Sequence, residues 1–219
     1  MTVRHNGPVP ADRLHLVRHG EVENPDHILY GRIPGYGLSA RGREMAALAA
    51  AALTGSPVTR IVASPLQRTQ ESAEPWVEAF GIQPVLDERV VEPWNVFEGS
   101  RMRLALRRPG NWRHLRAPWR PSWGEPYTEV ALRMLAAMSD AWDAVDGGDV
   151  VIVSHQMPIE TVSRAIAAKR LAHSPAKRRT SLSSITSFTR DPETGRWAES
   201  GYQEPAAGLL GDAIDTGAV

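Results

Sequence analysis

Apolar residues in this chain fall into short continuous runs and longer periodic ones, and the two kinds alternate. Residues 14–17 form a short run broken by His15, which stops at Arg18, His19 and Gly20 as a buried strand entering a loop would. Ser39 precedes an alanine-rich stretch, 40–53, with good helix propensity despite Gly42, and Gly55 supplies a stop. Residues 58–63 read as a second strand. Ser64 and Pro65 then read as an N-cap and first helical residue, opening a helix that carries Arg68, that Pro75 must kink or restart, and that Gly81 ends. Residues 84–91 read as extended. From Thr128, the positions Val130, Met134, Leu135, Met138, Trp142 and Val145 recur at helical spacing until Gly147-Gly148. Residues 150–153 repeat the pattern of the first run and end on Ser154 and His155, with a helix expected from Pro158 to about Lys169. Two last strands, 184–189 and 196–202, are joined by a turn at 191–195.

Strands alternating with helices predict an α/β fold, a single domain with a mostly parallel central sheet and helices on both faces. Ligands in such folds sit outside the carboxyl ends of the strands, so His19 and His155, each closing an apolar run, are expected to share one site. The chain divides into an N-terminal extension, 1–12, a domain over 13–202 with a cap-like insert at about 100–127, and a Gly-, Ala- and Asp-rich tail, 203–219, expected to be flexible.

Composition narrows the chemistry. The chain has 219 residues, 42% hydrophobic, and its 25 basic residues equal its 25 acidic ones, so no global field draws it to nucleic acid or an acidic membrane. Without cysteine there is no disulfide, thiolate metal site or cysteine nucleophile. No signal-peptide-like or membrane-spanning run is present in the sequence, and a cytoplasmic protein is expected. Oligomeric state is not legible in the pattern.

Four segments then stand out in order: Leu16-Val17-Arg18-His19-Gly20-Glu21, Ala63-Ser64-Pro65-Leu66-Gln67-Arg68-Thr69, Asp87-Glu88-Arg89-Val90-Val91-Glu92 with Glu98-Gly99 following, and Val151-Ile152-Val153-Ser154-His155. Together they resemble the signature of the histidine phosphatase superfamily, also called phosphoglycerate mutase-like, over roughly residues 13–170. The resemblance implies His19 as covalent nucleophile, Arg18, Arg68 and His155 as phosphate ligands, and Glu92 as proton donor, with Glu88, Glu98 and Glu21 as rival carboxylates. It requires no cofactor and no metal. Asn24 is a further phosphate-binding candidate, one position earlier than the asparagine of some members, and Val22 stands where those members have threonine. Gln156-Met157 replaces the common Gly-Gly pair after the second histidine, and Tyr30 and Arg32 lie where the mutase subgroup has a longer run. Tyr30, Arg32, Gln156 and Met157 are therefore candidate pocket residues.

The chemistry agrees with the resemblance. A phosphoryl transition state spreads negative charge over three oxygens and is stabilised by positioned cations, for which the rigid fork of arginine is well suited. The expected partner is a small phosphorylated metabolite, with no membrane or nucleic-acid partner. The expected reaction is hydrolysis of a phosphomonoester through phosphohistidine. Mutase-type transfer and a phosphate-binding regulatory module stay open as alternatives. Seven arginines and no acid between Arg101 and Trp123, with Trp112 and Trp119 among them, suit either contact with a second anionic group of the substrate or a solvated basic face. Arg113, Arg116 and Arg120 are the insert's candidate contacts.

Overall fold

The β-branched and leucine-rich runs of the sequence line up side by side in one six-stranded sheet of order β3-β2-β4-β1-β5-β6. The structure is a computed structural model and describes residues 10–105, 107–115, 123–173 and 178–215. Most of the N-terminal extension, the middle of the insert with Arg116, Trp119 and Arg120, and the last four residues lie outside the described residues, as does the side chain of Arg113. The elements run β1 (Arg13–Arg18), α1 (Ala40–Ala51), β2 (Val58–Ala63), α2 (Gln67–Phe80), β3 (Val85–Leu86), α3 (Met102–Ala105), α4 (Tyr127–Asp143), β4 (Asp149–Ser154), α5 (Gln156–Ile166), β5 (Ile185–Arg190) and β6 (Trp197–Gln203).

β1, β4, β2 and β3 are parallel, while β5 and β6 continue the sheet antiparallel beyond β1. Alternating side chains feed two cores, as the pleat requires. Leu14, Leu16, Val150 and Ile152 pack under α4 and α5 against Met134, Met138, Trp142 and Ile159. Val17, Val151, Val153 and Ile61 face the other way, onto Ala49 and Ala50 of α1 and Ala73 and Trp76 of α2. Helices thus cover both faces, as the pattern predicts.

Four expectations change, and one is the stretch 84–91, which is strand only at Val85–Leu86 before a 3-10 turn at Glu88–Val90. α2 starts at Gln67 with the extended Leu66 as N-cap, and the Ser64 oxygen accepts from Leu66 N just ahead of the helix. Pro75 lies inside a helix that continues to Phe80, where the fully buried Trp76 holds it against the sheet and packing overrides propensity. Gly81, in the left-handed region at φ 69°, ends it as expected. Finally, the expected flexible tail is packed over its described part: Ala206, Leu209, Leu210 and Ala213 lie against Met45 and Leu182. Among the described residues no helix is long and apolar enough to cross a membrane.

Candidate active site

Register places the catalytic candidates at one edge. Arg18 pairs with Ser154 and Ala63 with Val153, so β1, β2 and β4 end together, and His19, Ser64 and His155 are the residues just beyond or one further along. Their backbones stay tied, since His19 N donates to Ser154 O at 3.1 Å and Ser64 N to Val153 O at 3.0 Å. Gly20 then passes directly over Gly42 of α1. A Cβ on either glycine would strike backbone, at Gly42 O or Glu21 O, so both must lack one.

The two histidine rings stand edge to face with centroids 5.2 Å apart. His19 Nδ1 lies 2.8 Å from Gly20 O, an acceptor only, so Nδ1 carries the hydrogen and Nε2 keeps its lone pair. His155 Nε2 lies 2.8 Å from the Ser64 hydroxyl, and its Nδ1 lies 3.7 Å from a Glu92 carboxylate oxygen. The Ser154 hydroxyl donates to Val90 O at 2.7 Å, which pins the turn carrying Glu92 to the end of β4. Arg68 donates to Gly31 O at 2.8 Å and lies over the Tyr30 ring, 4.7 Å from its centroid. Arg18 donates to Thr180 O at 2.8 Å and is paired with Asp215.

Burial sets the charge states. Arg18, His19, Arg68, Glu92 and His155 are all at most 1% exposed. Desolvation first, then the nearby Arg68, lowers both imidazoles well below their ordinary range, so both are neutral at physiological pH. Desolvation raises the Glu92 carboxyl, only partly offset by Arg68, Arg178, Arg18 and Arg133. Burial likewise pushes the Tyr30 phenol up to about 12. Several buried polar atoms lack a partner, among them Arg18 Nε, Arg68 Nε, His155 Nδ1 and both Glu92 oxygens. Of these groups, Arg18, Arg68 and His155 lie close to His19, and buried polar atoms of this kind are ordinarily satisfied.

The model of the histidine phosphatase superfamily (branch 1) matches residues 14–202. The chain belongs to this superfamily. It is 43% identical over 198 residues to the uncharacterized protein Rv0525 of Mycobacterium tuberculosis (strain ATCC 25618 / H37Rv), a match covering 89% of this chain and 97% of the relative. The Probable phosphoglycerate mutase GpmB of Enterobacter sp. (strain 638) is 27% identical, with 90% and 92% covered. Among solved structures, mycobacterial glucosyl-3-phosphoglycerate phosphatase Rv2419c complexed with VO3 superposes at a TM-score of 0.71 with 27% identity, covering 87% of this chain and 98% of that one.

Around this histidine phosphatase core the remaining candidates divide. Arg32 donates through Nε to Glu92 O at 2.6 Å and, together with Arg68, lines an open cleft of about 420 Å³. Gln156 donates to Thr180 O at 3.2 Å, the carbonyl that Arg18 also uses, and accepts from Arg178 at 3.2 Å. Asn24 folds its amide onto its own loop, donating to Ile28 O at 2.9 Å and accepting from Ile28 N at 3.0 Å. Met157 is buried in the first turn of α5. Of the rival carboxylates, Glu21 bonds Ser39, Glu98 accepts from Asn95 N at 3.1 Å, and Glu88 is exposed, so Glu92 alone of the four lies against His155. The root of the insert is docked near the site: Trp123 and Ala105 pack on Leu29 and Phe97.

Sequence reasoning missed Ser64 as a partner of His155, Arg178 and Asp215. Arg178 bonds Gln156 and donates through Nε to His173 Nε2 at 3.0 Å, while His173 Nδ1 bonds Leu171 O. No local pattern marks any of these contacts. Among the described residues no group of three His, Asp or Glu side chains is placed to hold a metal ion.

Proposed function

We propose that the protein is a phosphatase that hydrolyses a small phosphomonoester through a phosphohistidine at His19. The observation that carries this reading is the His19 Nδ1–Gly20 O bond, which leaves a neutral Nε2 with a free lone pair beside two buried arginines. Nε2 attacks phosphorus in line with the leaving oxygen; Arg18 Nε, Arg68 Nε and the Nδ1–H of neutral His155 bind the equatorial oxygens as charge builds on them. The buried Glu92 carboxyl, held protonated to higher pH than usual, gives its proton to the departing alkoxide and takes one back from the water that resolves phosphohistidine. A cysteine-free chain suits a reducing compartment, and we assign the enzyme to the cytoplasm.

The test is chemical. Quenching during turnover should trap acid-labile, base-stable phosphate on wild-type protein and none on His19→Ala, with inorganic phosphate as product. Label on serine or aspartate would overturn the choice of nucleophile. The GpmB relative raises the mutase alternative, for which the phosphoryl group would return to a second substrate hydroxyl and no phosphate would be released. Activity should also survive EDTA, since the clamp is made of side chains; loss reversed by Mg²⁺ or Zn²⁺ would refute this mechanism.

A further inference from the structure

The tail beyond β6 reaches the phosphate-binding candidate Arg18 from across the chain. Its small apolar residues dock on Met45 and Leu182. Two polar contacts then steer it: Arg41 donates to Asp212 O at 2.5 Å, and Ile214 N donates to Glu21 Oε1 at 2.6 Å. Glu21 is itself buried and held by the Ser39 hydroxyl at the start of α1. The next residue, Asp215, meets the Arg18 guanidinium with both carboxylate oxygens, Nη1 to Oδ2 at 2.8 Å and Nη2 to Oδ1. Arg18 has no exposed surface, whereas the Asp215 side chain is 40% exposed, so the carboxylate closes over the arginine from the solvent side.

A guanidinium has five N–H groups and two edges that can each hold a pair of oxygens. Asp215 occupies the end edge, Nη1 and Nη2. Thr180 O takes a further Nη1 hydrogen. The side edge, Nε and the second Nη2 hydrogen, is not used by the tail, and Nε is buried without a partner. A carboxylate that plugged the phosphate seat would be expected on the edge facing the other unpartnered donors.

We propose that Asp215 is a positioning residue for phosphate recognition: it clamps the end edge of Arg18 so that the side edge is presented to the phosphoryl oxygens. The inference rests on the phosphatase reading given above. Burial opposes the Arg18 cation, and Asp215, by charge and hydrogen bond, joins Tyr30 and Glu92 in more than offsetting it. The positioned edge is thus fixed in plane in a dry site.

The opposite role, a carboxylate that phosphate must displace, predicts effects of opposite sign, and this decides the experiment. The full chain and its Asp215→Ala, Asp215→Asn and Asp215→Glu variants are compared for binding of inorganic phosphate by calorimetry, for kcat/KM on p-nitrophenyl phosphate, and for Tm. Positioning predicts phosphate binding and kcat/KM about tenfold weaker in Asp215→Ala, an intermediate loss in Asp215→Asn, and values nearest wild type in Asp215→Glu, with a lower Tm in Asp215→Ala and a Tm near wild type in Asp215→Glu. Equal or tighter phosphate binding by Asp215→Ala overturns the proposal. So does an equal loss in all three variants accompanied by a lower Tm, which would mark simple tail packing. Should the alanine variant fail to fold, the isosteric Asp215→Asn decides by the same signs. A wild-type protein that neither binds phosphate nor turns over would refute the phosphatase reading itself, and the inference with it; wild-type activity with an unaffected Asp215→Ala would refute the inference alone.

Discussion

Replacing Ser64 by alanine tests the arrangement that makes His155 a donor. Ser64 and His155 are both fully buried, and the Ser64 oxygen lies 2.8 Å from His155 Nε2. Leu66 N approaches the same oxygen at 3.4 Å and donates to it, so the hydroxyl hydrogen is free to point at Nε2. The neutral ring then carries its own hydrogen on Nδ1, the unpartnered nitrogen on the Glu92 side. Ser64→Ala removes the hydrogen bond at Nε2 that favours that tautomer. Nε2 is left buried without a partner, which costs about 1–3 kcal/mol. For a domain of this size that lowers Tm by roughly 2–12 °C.

The catalytic effect is separable from the stability effect. With the hydrogen moved to Nε2, the Nδ1 lone pair faces the phosphoryl oxygens, and one hydrogen bond to a charged group is lost, worth about 1.5–3 kcal/mol. kcat/KM for an alkyl phosphate should fall roughly 10- to 150-fold, measured well below the variant's Tm. Ser64→Cys, a weaker donor of similar shape, should fall between. An alanine variant that loses stability but keeps kcat/KM within a few fold would show that Ser64 does not set the His155 tautomer. One that loses neither would refute the buried hydrogen bond.

Glu92→Gln should slow the single-turnover phosphorylation of His19 by roughly 10²- to 10⁴-fold with an alkyl phosphate and much less with p-nitrophenyl phosphate, whose phenolate needs no proton; the same leaving-group dependence in Glu98→Gln would show that the acid is wrongly assigned. The same substitution has a stability signature, because a carboxyl whose folded pKa is raised stabilises fully below its unfolded value, near 4.5, and loses that contribution as pH rises through the folded value. Urea midpoints of Glu92→Gln should therefore exceed wild type at neutral pH and converge with it towards pH 4, and a gap that widens on acidification would contradict the burial argument. Gly42→Ala should destabilise by about 1–3 kcal/mol despite the higher helix propensity of alanine, since the new Cβ meets the Glu21 backbone, and a more stable variant would mean that the loop can shift away.

Why the candidate catalytic residues are legible and their supports are not follows from the range of the signals. Arg18, His19, Ser154 and His155 sit where apolar runs stop, and β1, β2 and β4 appear within a residue or so of the runs that predict them. A run that stops on a charged residue is a local event, visible in a single stretch of sequence. Ser64 carries an equally local signal, a serine before proline, yet the helix begins only at Gln67, and the same hydroxyl meets a buried histidine 91 residues away. The hydroxyl serves both: its oxygen accepts from Leu66 N, and its hydrogen meets the Nε2 of a fully buried imidazole that water cannot satisfy. The short strand Val85–Leu86 fails in the same direction: the extended segment pairs with β2 over two residues and then turns at Asp87, whose side chain bonds Arg89 N, so that Glu92 can reach His155. The tail misleads for a different reason. Its glycines and alanines average to a flexible composition, but Leu209, Leu210 and Ala213 need only one small surface on Met45 and Leu182 to dock, and composition does not record where three residues land. Once they land, Asp215 is brought to Arg18 across 197 positions, a contact for which sequence has no period and no motif. The residues expected to act are therefore written locally, while the residues that orient them are settled only when the chain closes on itself, and positional variants of Ser64 and Asp215 probe the part of the site that motif matching leaves blank.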